Sequence, residues 1–302
     1  MSVVSMDKSP SVAEPAVVLA SKPQNPQVEA LLLFLRNGTA ALGLSMMAII
    51  VVMCLIGPGL YGIDPYAIVN VPFAPPGTPG ALFGTDFLGR DILAGVLIGG
   101  RPTLIVGCVA AAMTIGIGVL IGCMAGYFGG WIDRALMKFT EFFQVLPALL
   151  LAMVIVSIFE ASLLTITLAI GIVGWPQAAR LTRAEFLRIR DLEYVRATRT
   201  AGARDFYLIF NTILPGALPP IIVASALTTG GSILFESGLS FLGLGDPNMM
   251  SWGVMIGQNR NYLLEAWWTV SIPGIAIFLT VLAISLIGDG INDALNPRMR
   301  KR

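Results

Sequence analysis

What most constrains this sequence is a series of long apolar runs, each close to the roughly 20 helical residues needed to cross a hydrocarbon core of about 30 Å. About six are legible: Ala40 to Leu60, Thr103 to Ala125, Phe142 to Phe159, Leu163 to Ala179, Ala217 to Leu242 and Trp268 to Ile287. Inside lipid, every backbone N–H and C=O of a spanning segment needs an internal partner, so such runs fold as helices. The expected fold class is an all-α membrane protein with about six transmembrane helices. Composition agrees: 56% of the 302 residues are hydrophobic and only 12% are charged, against about 25% charged in soluble domains. The Trp267, Trp268 pair stands where amphipathic rings settle at a membrane interface.

Orientation follows from the basic residues, which cytoplasmic segments retain during insertion. With the N-terminus inside, the cytoplasmic segments hold 16 of the 19 Lys and Arg, leaving Arg90, Arg101 and Arg260 outside. Both termini are therefore expected to be cytoplasmic. Residues 1–30 read as a disordered cytoplasmic tail, because Met1 to Gln27 lacks the basic start and apolar core of a cleaved signal. Residues 31–60 carry the first transmembrane helix, and 61–100 form an extracytoplasmic segment rich in Pro and Gly. Residues 101–290 form the core, which includes a basic loop at 190–215, and 291–302 are a basic cytoplasmic tail.

Several function classes fall away. A net charge of +1 offers no basic surface for nucleic acid. The absence of His removes Ser-His-Asp triads, Cys-His pairs and HExxH zinc sites, and no metal site is expected. Cys54, Cys108 and Cys123 lie in apolar runs and read as small core fillers. A secondary transporter or channel, the main alternative class, calls for paired ionisable residues inside the spans and internal repeats. Neither is visible. Gly118, Gly122 and Gly126 recur every fourth residue and favour close helix packing. Pro147, Pro176 and Pro273 can kink their spans. Glu236, the one carboxylate well inside an apolar run, favours a structural hydrogen-bonding role near the outer end of its span.

The most informative stretch is Arg180 to Asn211, which holds seven Arg yet keeps helical periodicity. Tyr194, Ala197, Thr198 and Ala201 share one helical face, Arg196 and Arg199 another, and Gly202 can end the helix. Such a helix can lie on anionic lipid or dock into a partner.

The run Glu193-Tyr194-Val195-Arg196-Ala197-Thr198-Arg199-Thr200-Ala201-Gly202-Ala203, followed by Ile213-Leu214-Pro215, resembles the EAA loop of ABC importer permeases. Phe83 to Asp91 (FGTDFLGRD), Ala125 to Asp133 (AGYFGGWID), Leu239 to Gly245 (LSFLGLG), Ser251-Trp252-Gly253 and Gly288-Asp289-Gly290 resemble one branch of that family. The branch is the second permease subunit of the peptide and nickel importers, and the resemblance covers about Arg36 to Arg300. Arg196 and Thr198 depart from the Glu and Ala that the EAA pattern prefers. Gly100-Arg101-Pro102-Thr103 departs from the usual Gly-Ala-Arg, a change expected to alter the start of the second helix.

The resemblance implies a MetI-like permease fold in a bacterial inner membrane and a non-catalytic subunit. It implies a homologous permease as heterodimer partner, two cytoplasmic ATPases that bind ATP and Mg, and an extracytoplasmic binding protein that delivers di- or oligopeptides or related solutes. The EAA loop, including Leu214 and Pro215, would couple to the ATPases. The chain itself has no Walker A lysine, since none of Lys8, Lys22, Lys138 and Lys301 follows Gly. No cofactor is expected on it.

Overall fold

The computed structural model describes residues 34–295. The expectations for the two tails lie largely outside these residues. The helices are α1 (Gly38–Tyr61), α2 (Ile92–Phe128), α3 (Gly130–Val145), α4 (Ala148–Phe159), α5 (Leu163–Arg190), α6 (Glu193–Thr200), α7 (Leu214–Leu239), α8 (Trp252–Asn259) and α9 (Trp268–Leu295). A helical turn at Asp205–Tyr207 and a π-helical segment at Leu208–Ile213 lead into α7. Among the described residues there is no β-strand, only isolated bridges.

Among the described residues, five helical stretches are long and apolar enough to cross a membrane: α1, α2, α5, the continuous stretch Asp205–Leu244, and α9. The sixth is a bent pair. The sequence placed one span at Phe142 to Phe159 with Pro147 inside it, but α3 and α4 meet there at 83°. Proline pushes the preceding residue to extended backbone, and Leu146 adopts φ −73°, ψ 129°. The 12 residues of α4 reach only about 18 Å at 1.5 Å per residue. Pro176 and Pro273, by contrast, lie within the continuous helices α5 and α9.

Other boundaries shift outward from the apolar runs because polar contacts extend the helices. α2 begins at Ile92 rather than Thr103, where Asp91 accepts from Ala94 N–H at 2.8 Å as its N-cap. The Gly100 to Thr103 stretch therefore lies inside α2 and does not set its start. Arg101 has a different task. Pro58 in α1 has no N–H for the Cys54 carbonyl, and Arg101 Nε donates to that carbonyl at 2.8 Å while Nη2 donates to the Leu55 carbonyl at 2.9 Å. α5 runs on to Arg190, so Arg180, Arg183, Arg188 and Arg190 belong to a helix rather than a loop.

Packing is organised around α2 and α5. A Cβ on Gly118 would lie 2.4 Å from Ala178 Cβ, one on Gly122 2.5 Å from the Ala179 carbonyl oxygen, and one on Gly126 2.5 Å from Phe186 Cβ. These separations are below any real contact, so the two backbones approach only because the stripe is glycine. Three buried clusters follow the bundle: one around Trp252 and Trp268, one around Val106, Ala169 and Leu239, and one around Phe186, Val195 and Ile213.

At the end opposite α6, residues 62–91 and 245–266 form a lobe. Asp86 accepts from the N–H groups of Leu88 and Arg90 and pairs with Arg90 Nε at 2.7 Å. Arg90 Nη2 also donates to Gln258 Oε1 at 3.0 Å, and Phe87 N–H donates to Asn259 Oδ1. The FGTDFLGRD stretch thereby joins the two halves of the lobe. Glu236 is buried beside it and accepts from the hydroxyls of Ser240 and Ser251 at 2.8 Å and Ser237 at 3.3 Å. Ser251 also caps α8 by accepting from Val254 N–H, so this carboxylate ties α7 to α8. Arg260 donates to the Phe241 carbonyl and lies over the Phe241 ring. The three arginines assigned to the sparse side of the charge split are each engaged within the fold.

Candidate functional site

The periodic stretch forms a distinct helix. α6 carries Glu193 in its first turn and Arg199 in its last, the charge order that complements the helix dipole. It stops in a Schellman motif: Gly202 adopts φ +88°, its N–H donates to the Arg199 carbonyl, and Ala203 N–H donates to the Thr198 carbonyl. A side chain at Gly202 would be strained in that left-handed conformation.

One residue fastens α6 to the bundle. Val195 is fully buried among Phe186, Ile189, Leu208 and Ile213. Around it Tyr194, Arg196, Ala197, Arg199 and Ala201 are exposed, while Thr198 and Ala203 are half-buried. Leu214 is half-buried and Pro215 exposed at the first turn of α7. The small-residue face with Tyr194, Ala197 and Ala201 is thus presented outward. Exposed Leu192, Phe206, Tyr207 and Phe210 flank it in sequence, an unusual amount of apolar surface for a basic segment.

Polar contacts fix the position of this surface against the end of α2. Tyr127 donates from its hydroxyl to Asp205 Oδ1 at 2.5 Å, and the Arg199 guanidinium lies 5.7 Å from the centroid of the same ring. Arg190 Nη1 donates to the Gly126 carbonyl at 2.8 Å. Arg183 on α5 makes a two-pronged pair with Asp133 on α3. Gly118, Gly122 and Gly126 lie along the α2–α5 seam that leads to this end, with Gly126 nearest to the loop.

The sequence alone does not single out Tyr127, Asp133, Arg183, Arg190 or Asp205 as parts of the site. The signal is partly present, because Tyr127 and Asp133 lie in the AGYFGGWID stretch that carries part of the family resemblance. Their partners are 50 to 78 residues away, and no local period reports such a pairing. A hydrogen bond to a charged group contributes about 1.5–3 kcal/mol. Tyr127→Phe keeps the ring under Arg199 and removes only the hydroxyl. It is expected to raise tryptic cleavage between Arg196 and Arg204 roughly tenfold, through more frequent local opening. Unchanged cleavage would show that this bond does not hold α6.

Residues 118–301 match the family described as binding-protein-dependent transport system inner membrane component. The di/tripeptide transport system permease protein DppC of Pseudomonas aeruginosa is 37% identical over 274 residues, 88% of this chain and 90% of that protein. The dipeptide transport system permease protein DppC of Haemophilus influenzae is 34% identical over 290 residues, 94% of this chain and 98% of that protein. The glutathione transport system permease protein GsiD of Pectobacterium atrosepticum is 38% identical over 218 residues, 72% of each chain. Among solved structures, a chain of the MetNI methionine ABC transporter in inward-facing conformations superposes with a TM-score of 0.57. It covers 67% of this chain and 96% of that one at 18% identity, and so shares the fold.

The fold is that of a multi-pass, all-α, MetI-like permease of the ABC importer type. The chain belongs to the family of binding-protein-dependent transport system inner membrane components, as the motif resemblance led us to expect.

Proposed function

We propose that this chain is the second permease subunit of an ATP-driven importer of di- or oligopeptides or related small solutes, and that α6 is its coupling helix. The observation that carries the reading is α6 itself: a short helix fixed at Val195 and Tyr127–Asp205, capped at Gly202, and presenting Tyr194, Ala197 and Ala201 outward. A helix held rigidly at its base and bare on its small-residue face suits insertion into a groove of another protein. The names of the relatives support peptides as the solute class.

In this reading a homologous permease completes the translocation pathway as a heterodimer. Two cytoplasmic ATPases hold ATP and Mg, and this chain binds neither. Association of the ATPases on ATP moves both coupling helices. The pathway then opens toward the lobe of residues 62–91 and 245–266, where an extracytoplasmic binding protein delivers solute. ATP acts by stabilising one of two arrangements of the bundle more than the other. The α2–α5 seam is suited to carry that motion, since its glycine contacts join α6's support to the middle of the bundle. The basic end, with both termini, faces the cytoplasm, and the surrounding apolar surface faces membrane lipid and the second permease.

Purification of the chain in mild detergent from its native membrane, with mass spectrometry of stoichiometric partners, tests the assembly. A second permease and ATPase subunits are expected. Recovery of a transport-competent homo-oligomer of this chain alone would replace the reading with a secondary transporter or channel.

A further inference from the structure

The outer end of α7 carries a group that packing does not require. Glu236 is 2% exposed, and no Lys or Arg pairs with it among the described residues. A carboxyl group buried without a cation is unfavourable, and apolar side chains would fasten one helix to another at less cost. Its Oε1 accepts from Ser240 and from Ser251, each at 2.8 Å. Ser240 lies four residues on in the same continuous helical stretch, so that bond joins no two elements. The bond from Ser251 crosses to α8.

The rest of the α7–α8 contact has little grip. Gly253 and Gly257 of α8 lie against the end of α7 and the turn that follows it. A Cβ on Gly253 would lie 2.7 Å from Ser237 Cα, and one on Gly257 2.7 Å from the Ser240 carbonyl oxygen. A face without side chains lets two helices approach closely but does not interlock them, so directional bonds set their register. Two are present among the described residues: Ser251 to Glu236, which is buried, and Arg260 to the Phe241 carbonyl, which is exposed.

Both helices lead away from this joint. α8 is held to residues 62–91 by the Arg90–Gln258 and Phe87–Asn259 bonds, and Met250 N–H, just before it, donates to the Tyr66 hydroxyl at 3.1 Å. α7 belongs to the continuous stretch Asp205–Leu244, whose other end follows α6 in the chain and begins with Asp205, the partner of Tyr127. π-helical turns bound α7 on both sides, at Leu208–Ile213 and Ser240–Leu244, and such turns frequently mark functional points of a helix.

We infer that Glu236 is a positioning residue of the transport cycle: by holding Ser251 it makes α8 and α7 move together, so that a binding protein seated on the lobe acts on α6 and, through it, on the ATPases. The inference rests on the importer reading above.

The assembled transporter is placed in lipid nanodiscs, and ATP hydrolysis is measured without and with the binding protein and alanyl-alanine. Co-purification of the ATPases confirms assembly of each variant. Ser251→Ala removes the bond that crosses to α8, and Ser240→Ala removes a bond to the same oxygen that does not. With Ser251→Ala the increment due to the binding protein is expected to fall roughly tenfold, the weight of a buried acceptor left without its donor, while basal hydrolysis stays at the native rate. Ser240→Ala is expected to keep the increment. Glu236→Leu breaks the crossing bond but leaves Ser251 to cap α8, and is expected to match Ser251→Ala. Glu236→Gln keeps an acceptor for Ser251 and is expected to restore the increment.

A native increment with Ser251→Ala, or a loss with Ser240→Ala as large as with Ser251→Ala, overturns the inference and leaves Glu236 a packing element of α7. Basal hydrolysis lost together with the increment, and not restored by Glu236→Gln, overturns it as well. Should Glu236→Leu not assemble, the two serine variants decide alone. Absence of any increment from the native assembly is a separate result, which overturns the importer reading itself.

Discussion

Ala197→Glu is expected to abolish co-purification of the ATPase subunits while leaving the chain folded and inserted. Ala197 is exposed on α6, so a glutamate there can extend into solvent without disturbing the bundle. In a protein groove that accepts a methyl group, the same side chain brings an unpaired charge out of water. Burying an uncompensated charge costs about 3–5 kcal/mol, which corresponds to a loss of affinity of at least roughly 100-fold. Gly202→Val acts on the same helix by another route. It forces a β-branched residue to φ +88° and removes the Schellman ending. Both variants are read by the yield of ATPase recovered per permease. Full recovery with Ala197→Glu would show that the outward face of α6 does not meet the ATPase.

The second large effect is on the fold. Gly122→Val is expected to prevent accumulation of folded protein. A Cβ at Gly122 would lie 2.5 Å from the Ala179 carbonyl oxygen, 2.6 Å from Thr182 Cβ and 3.0 Å from the Arg183 backbone nitrogen. Two of those three atoms belong to the backbone of α5, so the helices must separate for the side chain to fit. Overpacking in a well-filled core costs about 1–3 kcal/mol, and more where nothing can yield. Size-exclusion profiles and thermal unfolding in detergent measure the outcome. Gly116→Val, six residues away on α2 with open space around it, is expected to behave as the native chain does. Native-like unfolding of Gly122→Val would mean that the seam is looser than its geometry indicates.

The parts of the fold that were readable in the sequence are those that lipid imposes. Apolar runs announce helices because backbone groups have no other partners in hydrocarbon, and α1, α2, α5, α7 and α9 each contain one. The helix ends were less legible, since they depend on single polar contacts. Asp91 starts α2 well before the apolar run, and the arginines of α5 continue a helix beyond it. Pro147 signalled a break, but the 83° angle follows from packing that no local pattern encodes. α6 was visible because its period and its terminal Gly202 agree. Its anchorage was not, because Tyr127 and Asp205 are 78 residues apart. The pairing of Arg101 with the carbonyl freed by Pro58 is hidden in the same way, as is the lobe contact between Arg90 and Gln258, 168 residues apart. The bond from Ser251 to Glu236 needs two helices to exist and leaves no mark on either of them.

A photo-crosslinking side chain placed at Ala197 in the native membrane reports whether α6 enters a groove of the ATPase. An ATPase adduct is expected from Ala197 and none from a probe at Gly116. Adducts from Ala197 with lipid alone, in membranes where the ATPase is present, would contradict it and make α6 an interfacial helix.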